Sequence, residues 1–380
     1  MRIIKEIQIC SRCVSDTTMS EIQFDEKGVC NFCKLHDIFE ENYPVNEIEG
    51  EKLDRLVKEI KRKGEGKPYD CIVGVSGGAD SSFLLYWLKE KNLRPLAVTF
   101  DNGWCSDIAV KNIKNVTQKL NIDLHTVVAD WEEMKDIQRS FLKASVSDAD
   151  APTDYAIYST LFFEAYKNKI KYVFNGHSFR NEGSVPKSWS YFDSRYIRNV
   201  HKLYGSVRLK SFPIMRLSQF VFYMVFKRIK DVRVLESIDY NKNHIKKLLS
   251  EKFGWIDYGG HHHENIFTRF FQSYYLPVKF GIDKRKVELS AMVRSGFIPR
   301  ENALEILETD YAFNQNDVNY VLKKLEFTPE EWNEIMKTSR KMFMNFKTNY
   351  PLIKMARLPL KIAAGLNLIP KILYEKYAKM

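Results

Sequence analysis

The stretch Asp70-Cys71-Ile72-Val73-Gly74-Val75-Ser76-Gly77-Gly78-Ala79-Asp80-Ser81-Ser82 decides the fold. Ile72, Val73 and Val75 give its first half strand character, and Leu84, Leu85 and Leu88 give the helix read from Ser81 to Lys89 a buried face. Between them, Gly77 and Gly78 permit a tight turn and a close backbone approach to a ligand. Such a turn aims successive N–H groups and the positive end of a helix dipole at one point, an anion site whose natural guest is a phosphate. No lysine stands in the turn, so it is not the Gly-x-x-x-x-Gly-Lys-Ser/Thr loop. Nor is it the Gly-x-Gly-x-x-Gly of dinucleotide folds. The plain alternative is an ordinary glycine-rich turn. The full Ser-Gly-Gly-x-Asp-Ser, set between an apolar strand and an amphipathic helix, favours phosphate.

Downstream, residues 96–103 read as a second strand ending in turn residues, 107–120 as a helix and 123–130 as a third strand. Helices are expected at 132–145 and 154–168, then a fourth strand over 171–177 running into a glycine turn. Alternating strands and helices predict an α/β fold, a doubly wound parallel sheet, with ligands at the carboxyl ends of the strands. Those ends are Ser76–Asp80, Asp101–Trp104, Asp130–Trp131 and Gly176–Glu182, the last holding His177. Upstream, a charged helix is read from Glu51 to Lys63. Beyond about residue 213 no strand is read, and helices follow at 216–236, 243–253, 263–279, 284–295, 300–308, 314–326 and 328–345. The last opens on Thr328-Pro329-Glu330-Glu331, a capping box with proline at the first helical position. The expected division is a cysteine module at 1–45, the α/β domain at 46–212, a helical domain at 213–337 and a basic tail at 338–380.

The net charge of +11 points to acidic partners such as nucleotides, nucleotide-sugars, nucleic acid or an anionic membrane. Residues 1–10 make no signal peptide, because Lys5 and Glu6 interrupt the apolar run. The apolar run at 216–227 is too short to span a bilayer and reads as a buried helix. A cytoplasmic protein is expected.

Cysteine usage agrees. Cys10-x-x-Cys13 and Cys30-x-x-Cys33 match two thiolate knuckles of a zinc ribbon closing one tetrahedral Zn²⁺ site, with a small hairpin turning at residues 26–28. Two disulfides are the alternative, disfavoured by a reducing compartment. A closed four-thiolate site leaves no position for substrate, so its expected role is structural. His36 is read as a solvated histidine near a helix start. His261, His262 and His263 follow a turn at Tyr258-Gly259-Gly260 that faces the expected cleft, but adjacent histidines cannot all point at one metal.

The hexapeptide Ser76–Ser81 resembles the pyrophosphate loop of the PP-loop ATP pyrophosphatases, whose fold is of the HUP-like type. That resemblance implies that Ser76, Gly77, Gly78, Ser81 and Ser82 hold the pyrophosphate of ATP and that Asp80 helps place Mg²⁺. It also places Phe100, Asp101 and Gly176 in the nucleotide site. The cysteine ribbon, Asp101-Asn102-Gly103-Trp104, Pro152-Thr153-Asp154-Tyr155-Ala156-Ile157 and the run from Gly259 to Arg300 together resemble the N-acetyl sugar amidotransferases, over roughly residues 8–310. Members of that family convert an acetamido group of a nucleotide-linked sugar into an acetamidino group, using ATP and ammonia, in bacterial surface polysaccharide synthesis. Two positions depart from the pattern. Gly176-His177-Ser178-Phe179-Arg180-Asn181-Glu182 stands where the superfamily often has Gly-His-Asn followed by acids, and Cys105 stands where close members often carry Asn.

The resemblance implies substrate contacts from Trp104, Asp154, Tyr155 and Arg180. Lys284, Arg285 and Arg269 are candidates for phosphate or sugar-carboxylate contacts, against a solvated basic helix face. His177 or Glu182 is the expected proton acceptor from ammonia. The chain has no cysteine nucleophile following Met1 and no Gly-x-Cys-x-Gly elbow, so a separate glutaminase subunit is expected to supply ammonia. A tRNA-thiolating or lysidine-forming enzyme would share the loop, the cysteines and the charge. It would also want a reactive cysteine pair or an RNA-binding domain. A nucleotide-binding module without catalysis would not need the large second domain. In the tail, basic residues alternate with apolar ones, and Pro351, Pro359, Gly365 and Pro370 break it into short helices. Packing on the helical domain is the first reading of it, and a peripheral foot on the inner membrane leaflet the second.

Overall fold

The computed structural model describes residues 7–260, 263–366, 368–369 and 371–375. His261, His262, Pro370 and the end of the tail lie outside the described residues. In order the elements are α1 (Asn31–Asn42), α2 (Glu47–Gly64), β1 (Cys71–Gly74), α3 (Ala79–Glu90), β2 (Pro95–Asp101), α4 (Asp107–Leu120), β3 (Leu124–Val128), α5 (Trp131–Ala144), α6 (Ala151–Lys167), β4 (Tyr172–Phe174), α7 (Phe179–Glu182), α8 (Ser194–Tyr204), α9 (Leu217–Val221) and β5 (Lys230–Val232). They continue as α10 (Lys242–Phe253), α11 (Ile266–Phe270), α12 (Arg285–Arg294), α13 (Arg300–Glu308), α14 (Gln315–Lys324), α15 (Pro329–Lys337), α16 (Tyr350–Met355), α17 (Arg357–Gly365) and α18 (Lys371–Tyr374).

The five strands form one sheet in the order β3-β2-β1-β4-β5, and every pairing is parallel. β1 sits at its centre, with Ile72 opposite Leu96 on one side and Val173 on the other. A central parallel strand is covered on both faces, which is why Cys71, Ile72 and Val73 are all fully buried. Alternate residues serve two cores. Ile72, Leu96, Val98, Phe100 and Val173 face Phe141 of α5 and Phe162 of α6. Cys71, Val73, Ala97, Tyr172 and Phe174 face Leu84 and Leu88 of α3, Ile113 of α4 and Leu249 of α10.

The expectation of no strand past residue 213 fails. β5 pairs with β4, Tyr172 opposite Lys230, so the sheet extends to Val232. With Lys230 and Asp231 in a three-residue strand, no apolar run marked it. The Asp231 side chain is buried, and its Oδ2 accepts from Arg233 Nε and Nη2 at 3.3 Å each. The sheet layer continues through α10, so a domain limit at 212 cuts it. Nor is 216–236 one buried helix: α9 runs into a π-helical turn (Phe222–Phe226) that stops at Arg228, whose φ is +52°. Several of its apolar side chains face outward, Phe226 being 73% exposed. Similarly α11 widens into a π helix (Phe271–Phe280) that accommodates Pro277, which has no N–H to donate. The expected capping box is present at α15, where Thr328 and Glu331 exchange hydrogen bonds of 3.1 and 3.2 Å, but that helix ends at Lys337.

Residues 341–349, beyond α15, are built into the body. Phe343 stacks on Tyr191 with 4.2 Å between ring centroids, Lys341 donates its N–H to the Ser145 carbonyl at 2.9 Å, and Asn349 donates to Asp193 at 2.8 Å. Phe343 is buried, so Phe343→Ala should cost about 3–4 kcal/mol. Thermal unfolding should show a lowered midpoint for the variant. An unchanged midpoint would mean that this segment does not hold the body together.

Candidate active site

At the carboxyl end of β1 the chain turns through Val75, Ser76, Gly77 and Gly78 into α3. Gly77 has φ +81°, and a Cβ there would stand 2.4 Å from the Ala109 carbonyl oxygen of α4. Only glycine fits. The Gly77 carbonyl accepts hydrogen bonds from Trp255 Nε1 at 2.9 Å and Asn112 Nδ2 at 3.2 Å, and Asn112 also exchanges two 2.8 Å bonds with Ile256. The turn is therefore clamped from α4 and from the segment after α10. Ser76 Oγ accepts from Gly78 N–H at 3.3 Å and donates to Glu264 at 3.2 Å, while Ser81 Oγ accepts from Ser76 N–H at 3.3 Å. Asp80, at the start of α3, accepts from Tyr240 Oη at 2.5 Å and from Lys242 Nζ at 2.9 Å. Burial opposes the charge on Lys242, but Asp80 and Glu182 outweigh it and hold its pKa above the ordinary lysine value.

A cavity of about 680 Å³ opens beside this turn. From the loop after β4 come Gly176 and His177, and from α7 comes Glu182; His177 Nε2 lies 3.2 Å from Glu182, and Nδ1 lies 3.6 Å from the fully buried Glu236. Of the residues expected from sequence, Ser76, Gly78, Asp80, Ser81, Phe100, Gly176, His177, Glu182, Asp154, Tyr155 and Lys284 line this one space. Tyr155 also ties the loop before α9, donating from Oη to the Met215 carbonyl at 2.6 Å.

Others are elsewhere. Gly77 shapes the turn without lining the cavity, Ser82 is buried within α3, and Asp101 accepts the Gly103 N–H at 2.9 Å in its own loop. Trp104 is fully buried against Trp131 and Phe267, donates to Gln138 at 2.7 Å and does not line the cavity. Arg180 is consumed by Glu40 at 2.5 Å and the Tyr43 carbonyl at 2.8 Å. Arg269 pairs with Asp317 and Arg285 with Asp283, each at 2.7 Å. An internal carboxylate has taken each guanidinium, which leaves Lys284 alone of the three basic candidates in the cavity. Sequence reasoning missed Lys242, Tyr258 and Glu264 as lining groups, although the turn holding Tyr258 was expected to face the cleft. Lys242 lies 162 residues from Asp80, and no spacing rule joins them.

The four cysteines converge in the N-terminal module. Their sulfurs lie within 4.8 Å of one another, with contacts of 3.8, 3.8 and 3.6 Å, and no disulfide joins them. A tetrahedron of ~2.3 Å Zn–S bonds has edges of about 3.8 Å, so the donor set fits Zn²⁺. Arg294 Nε and Nη2 reach Cys33 and Cys13 at 3.3 and 3.2 Å, and Arg300 holds the Cys13 and Cys10 carbonyls at 3.1 and 2.9 Å. Two helices of the C-terminal region thus close on the module. His36 is buried, not solvated; it lies edge-on to Phe179 at 5.2 Å, and burial lowers its pKa. Among the described residues no other grouping of His, Cys, Asp or Glu converges in this way.

Two predictions follow from these sites. Elemental analysis should find about one zinc per chain, and chelation should lower the unfolding midpoint, because the four sulfurs lose the cation that joins them and, once protonated, leave the Arg294 charge without an anionic partner. Disulfides found by mass spectrometry would overturn this. The second concerns Asp148, which lines the cavity wall and accepts from Tyr196 Oη at 2.7 Å. Burial pushes its carboxyl up to about 7. The folded value lies above the unfolded ~3.9, so its contribution favours folding below pH 4 and is lost as pH rises through about 7. Asp148→Asn should gain stability relative to the parent between pH 5 and 8, by at most ~4 kcal/mol. Parallel stability curves for the two would contradict the assignment.

Residues 70–160 match the family model described as queuosine biosynthesis protein QueC, and residues 264–359 match the C-terminal domain of LPS biosynthesis protein WbpG-like proteins. An uncharacterized protein of Methanocaldococcus jannaschii is 36% identical over 129 residues, 33% of this chain and 44% of that one. A tRNA-specific 2-thiouridylase of Fusobacterium nucleatum is 26% identical over 154 residues, 39% of this chain and 42% of that one. The chain thus spans less than half the length of these curated relatives. The NMN synthetase structure from Francisella tularensis aligns with 77% of this chain and 98% of its own at 9% identity, with a TM-score of 0.34. The parallel sheet and the clamped glycine turn at its central strand agree with the match over residues 70–160, and the WbpG-like match covers the helices from α11 into α17.

Proposed function

We propose that the chain is an ATP-dependent carbon–nitrogen ligase, an amidotransferase that forms AMP and pyrophosphate. Its substrate is an acetamido group on a nucleotide-linked N-acetyl sugar, and ammonia provides the new nitrogen. The observation that carries this reading is one cavity holding the phosphate turn at one wall and the His177–Glu182 pair at another. The WbpG-like match over residues 264–359 supports the sugar, since that description belongs to lipopolysaccharide biosynthesis.

An acetamide carbon is a poor electrophile, so its oxygen must first become a leaving group. Attack of that oxygen on the α-phosphorus forms an O–P bond and expels pyrophosphate, giving an O-adenylyl imidate as the amide N–H proton departs. Ammonia adds to the imidate carbon, and AMP leaves with the oxygen. Backbone N–H groups of the turn and the N-terminus of α3 stabilise charge growing on the pyrophosphate, with Lys242 adding a positive charge beside them. Asp80 and Glu264 are the carboxylates at the turn that would hold Mg²⁺, which supplies charge neutralisation on the departing group. The His177–Glu182 pair accepts the proton lost by the attacking nitrogen, Glu182 standing 3.2 Å from His177 Nε2 so that the two share the charge. Lys284 and Asp154 face the sugar end.

Ammonia comes from a separate glutaminase in this reading. Cys71 is fully buried in β1, and burial beside Asp101 and Glu264 pushes the Cys105 thiol up to about 11. Neither is a nucleophile at neutral pH. The same fact weighs against the runner-up, a tRNA-thiolating enzyme, which the partial likeness to a 2-thiouridylase keeps in view. Among the described residues no helix is long and apolar enough to cross a membrane, and the proposed setting is the cytoplasmic side of the cell envelope.

The test is incubation with ATP, Mg²⁺, ammonium and a panel of UDP-acetamido sugars. AMP, pyrophosphate and a product about one mass unit lighter are expected, with glutamine unable to replace ammonium. Gly77→Ala should lose activity at least ~100-fold, because the clamped turn cannot absorb a Cβ. Turnover of tRNA instead of any sugar, or full activity of the variant, would sink the reading.

A further inference from the structure

Two segments leave apolar side chains uncovered, and both border the cavity. The first is α16 and α17. Their inward positions Ile353 and Leu360 line the cavity together with Ile369. Their outward positions Leu352, Met355, Leu358, Ile362 and Leu366 are exposed to 47, 82, 67, 57 and 66%. Leu358, Ile362 and Leu366 stand four residues apart, so they form one stripe along α17. Exposed Lys354, Arg357 and Lys361 flank it. A helix apolar on opposite sides belongs in an interior, yet this one is covered on one side only. The second segment is α9 with the π turn that follows. Val221, Phe222, Val225 and Phe226 are exposed to 42, 38, 37 and 73%, while Leu217 and Phe220 line the same cavity. Arg216, Lys227 and Arg228 flank it. Neither residues 216–230 nor residues 338–374 contain an Asp or Glu.

We propose that these two segments form one docking face for an anionic lipid bilayer, with α16 and α17 lying between the bilayer and the cavity. The chemistry of the face selects this occupant. Apolar side chains exposed to 37–82% project from these two segments. They suit the acyl boundary, while the flanking cations meet lipid phosphates. A two-fold contact with a second copy would set Lys354, Arg357 and Lys361 against their own images, which like-charge repulsion opposes. Two acid-free runs that border one cavity from separate parts of the sequence give more attachment than either short helix alone. The proposal stands independently of the reaction assigned to the cavity.

The experiment is sedimentation of the full chain with phosphatidylcholine vesicles, with and without about one third phosphatidylglycerol. Binding to the anionic vesicles is expected, with at least a tenfold loss at about 0.5 M salt. Each basic residue at a bilayer surface is worth about fivefold, so the double variant Arg357→Glu, Lys361→Glu should bind at least ~25-fold more weakly. Leu358→Ser with Ile362→Ser, and separately Phe226→Ser, should each weaken binding while leaving the unfolding midpoint unchanged, since these side chains are exposed. Absence of binding by the parent, equal binding to neutral vesicles, or parent-like binding by the variants would overturn the proposal. A dimer in analytical ultracentrifugation that the Leu358 and Ile362 changes abolish would overturn it as well, assigning the face to a second copy.

Discussion

Gly77 and the Ala109 carbonyl approach so closely that no side chain can stand between them, and much of the molecule is arranged to keep them there. The turn has to hold several N–H groups in one direction, a conformation with little intrinsic preference in a free chain. It is fixed from three sides: β1 behind it, α4 beneath it through Asn112, and Trp255 after α10. β1 in turn is rigid because both its faces are covered by separate cores. A preorganised turn spends no reorganisation free energy when phosphate arrives, which is the condition for electrostatic stabilisation of a leaving pyrophosphate.

Charge inside this strongly basic chain is arranged in pairs. Arg180 with Glu40, Arg269 with Asp317 and Arg285 with Asp283 each join separate stretches or hold a helix end, and Arg294 and Arg300 bind α12 and α13 to the cysteine module. Removing one partner of a part-buried pair leaves the other charge uncompensated, so these contacts specify how the pieces fit more than they add stability. Lys242 belongs to the same pattern, with the difference that its partner Asp80 stands in the phosphate turn.

Much of this was legible because it is local. The strand, turn and helix at 70–89 are set by neighbouring residues, as are the cysteine knuckles and the capping box at Thr328. What could not be read depends on distance. β5 is three residues long with Lys230 and Asp231 in it, and it exists because β4 offers an open edge. Trp104 follows a glycine in a strand-end loop, where an aromatic reads as a ligand contact; Trp131 and Phe267, from elsewhere in the chain, make it core. Arg180 and Arg269 read as substrate contacts because their carboxylates lie 140 and 48 residues away, whereas Asp283 stands beside Arg285 in the sequence. Lys242 and Glu264 reach the turn by the same kind of long connection, and nothing near them in sequence marks the destination.

The cavity is polar at the phosphate turn and apolar where Phe220, Ile353 and Leu360 meet it. These two ends are physically coupled. An apolar wall lowers the local dielectric, which strengthens every interaction of the turn with a bound anion and disfavours any carboxylate without a partner. Asp148 on the cavity wall is subject to the same effect, burial pushing its carboxyl up. An adenylated imidate is destroyed by water, so a site that makes one benefits from a wall that excludes it. The segment beyond α15 supplies part of that wall while its other side stays apolar and uncovered. Whatever covers the outer side therefore bears on the dielectric of the site within, through the thickness of a single helix layer.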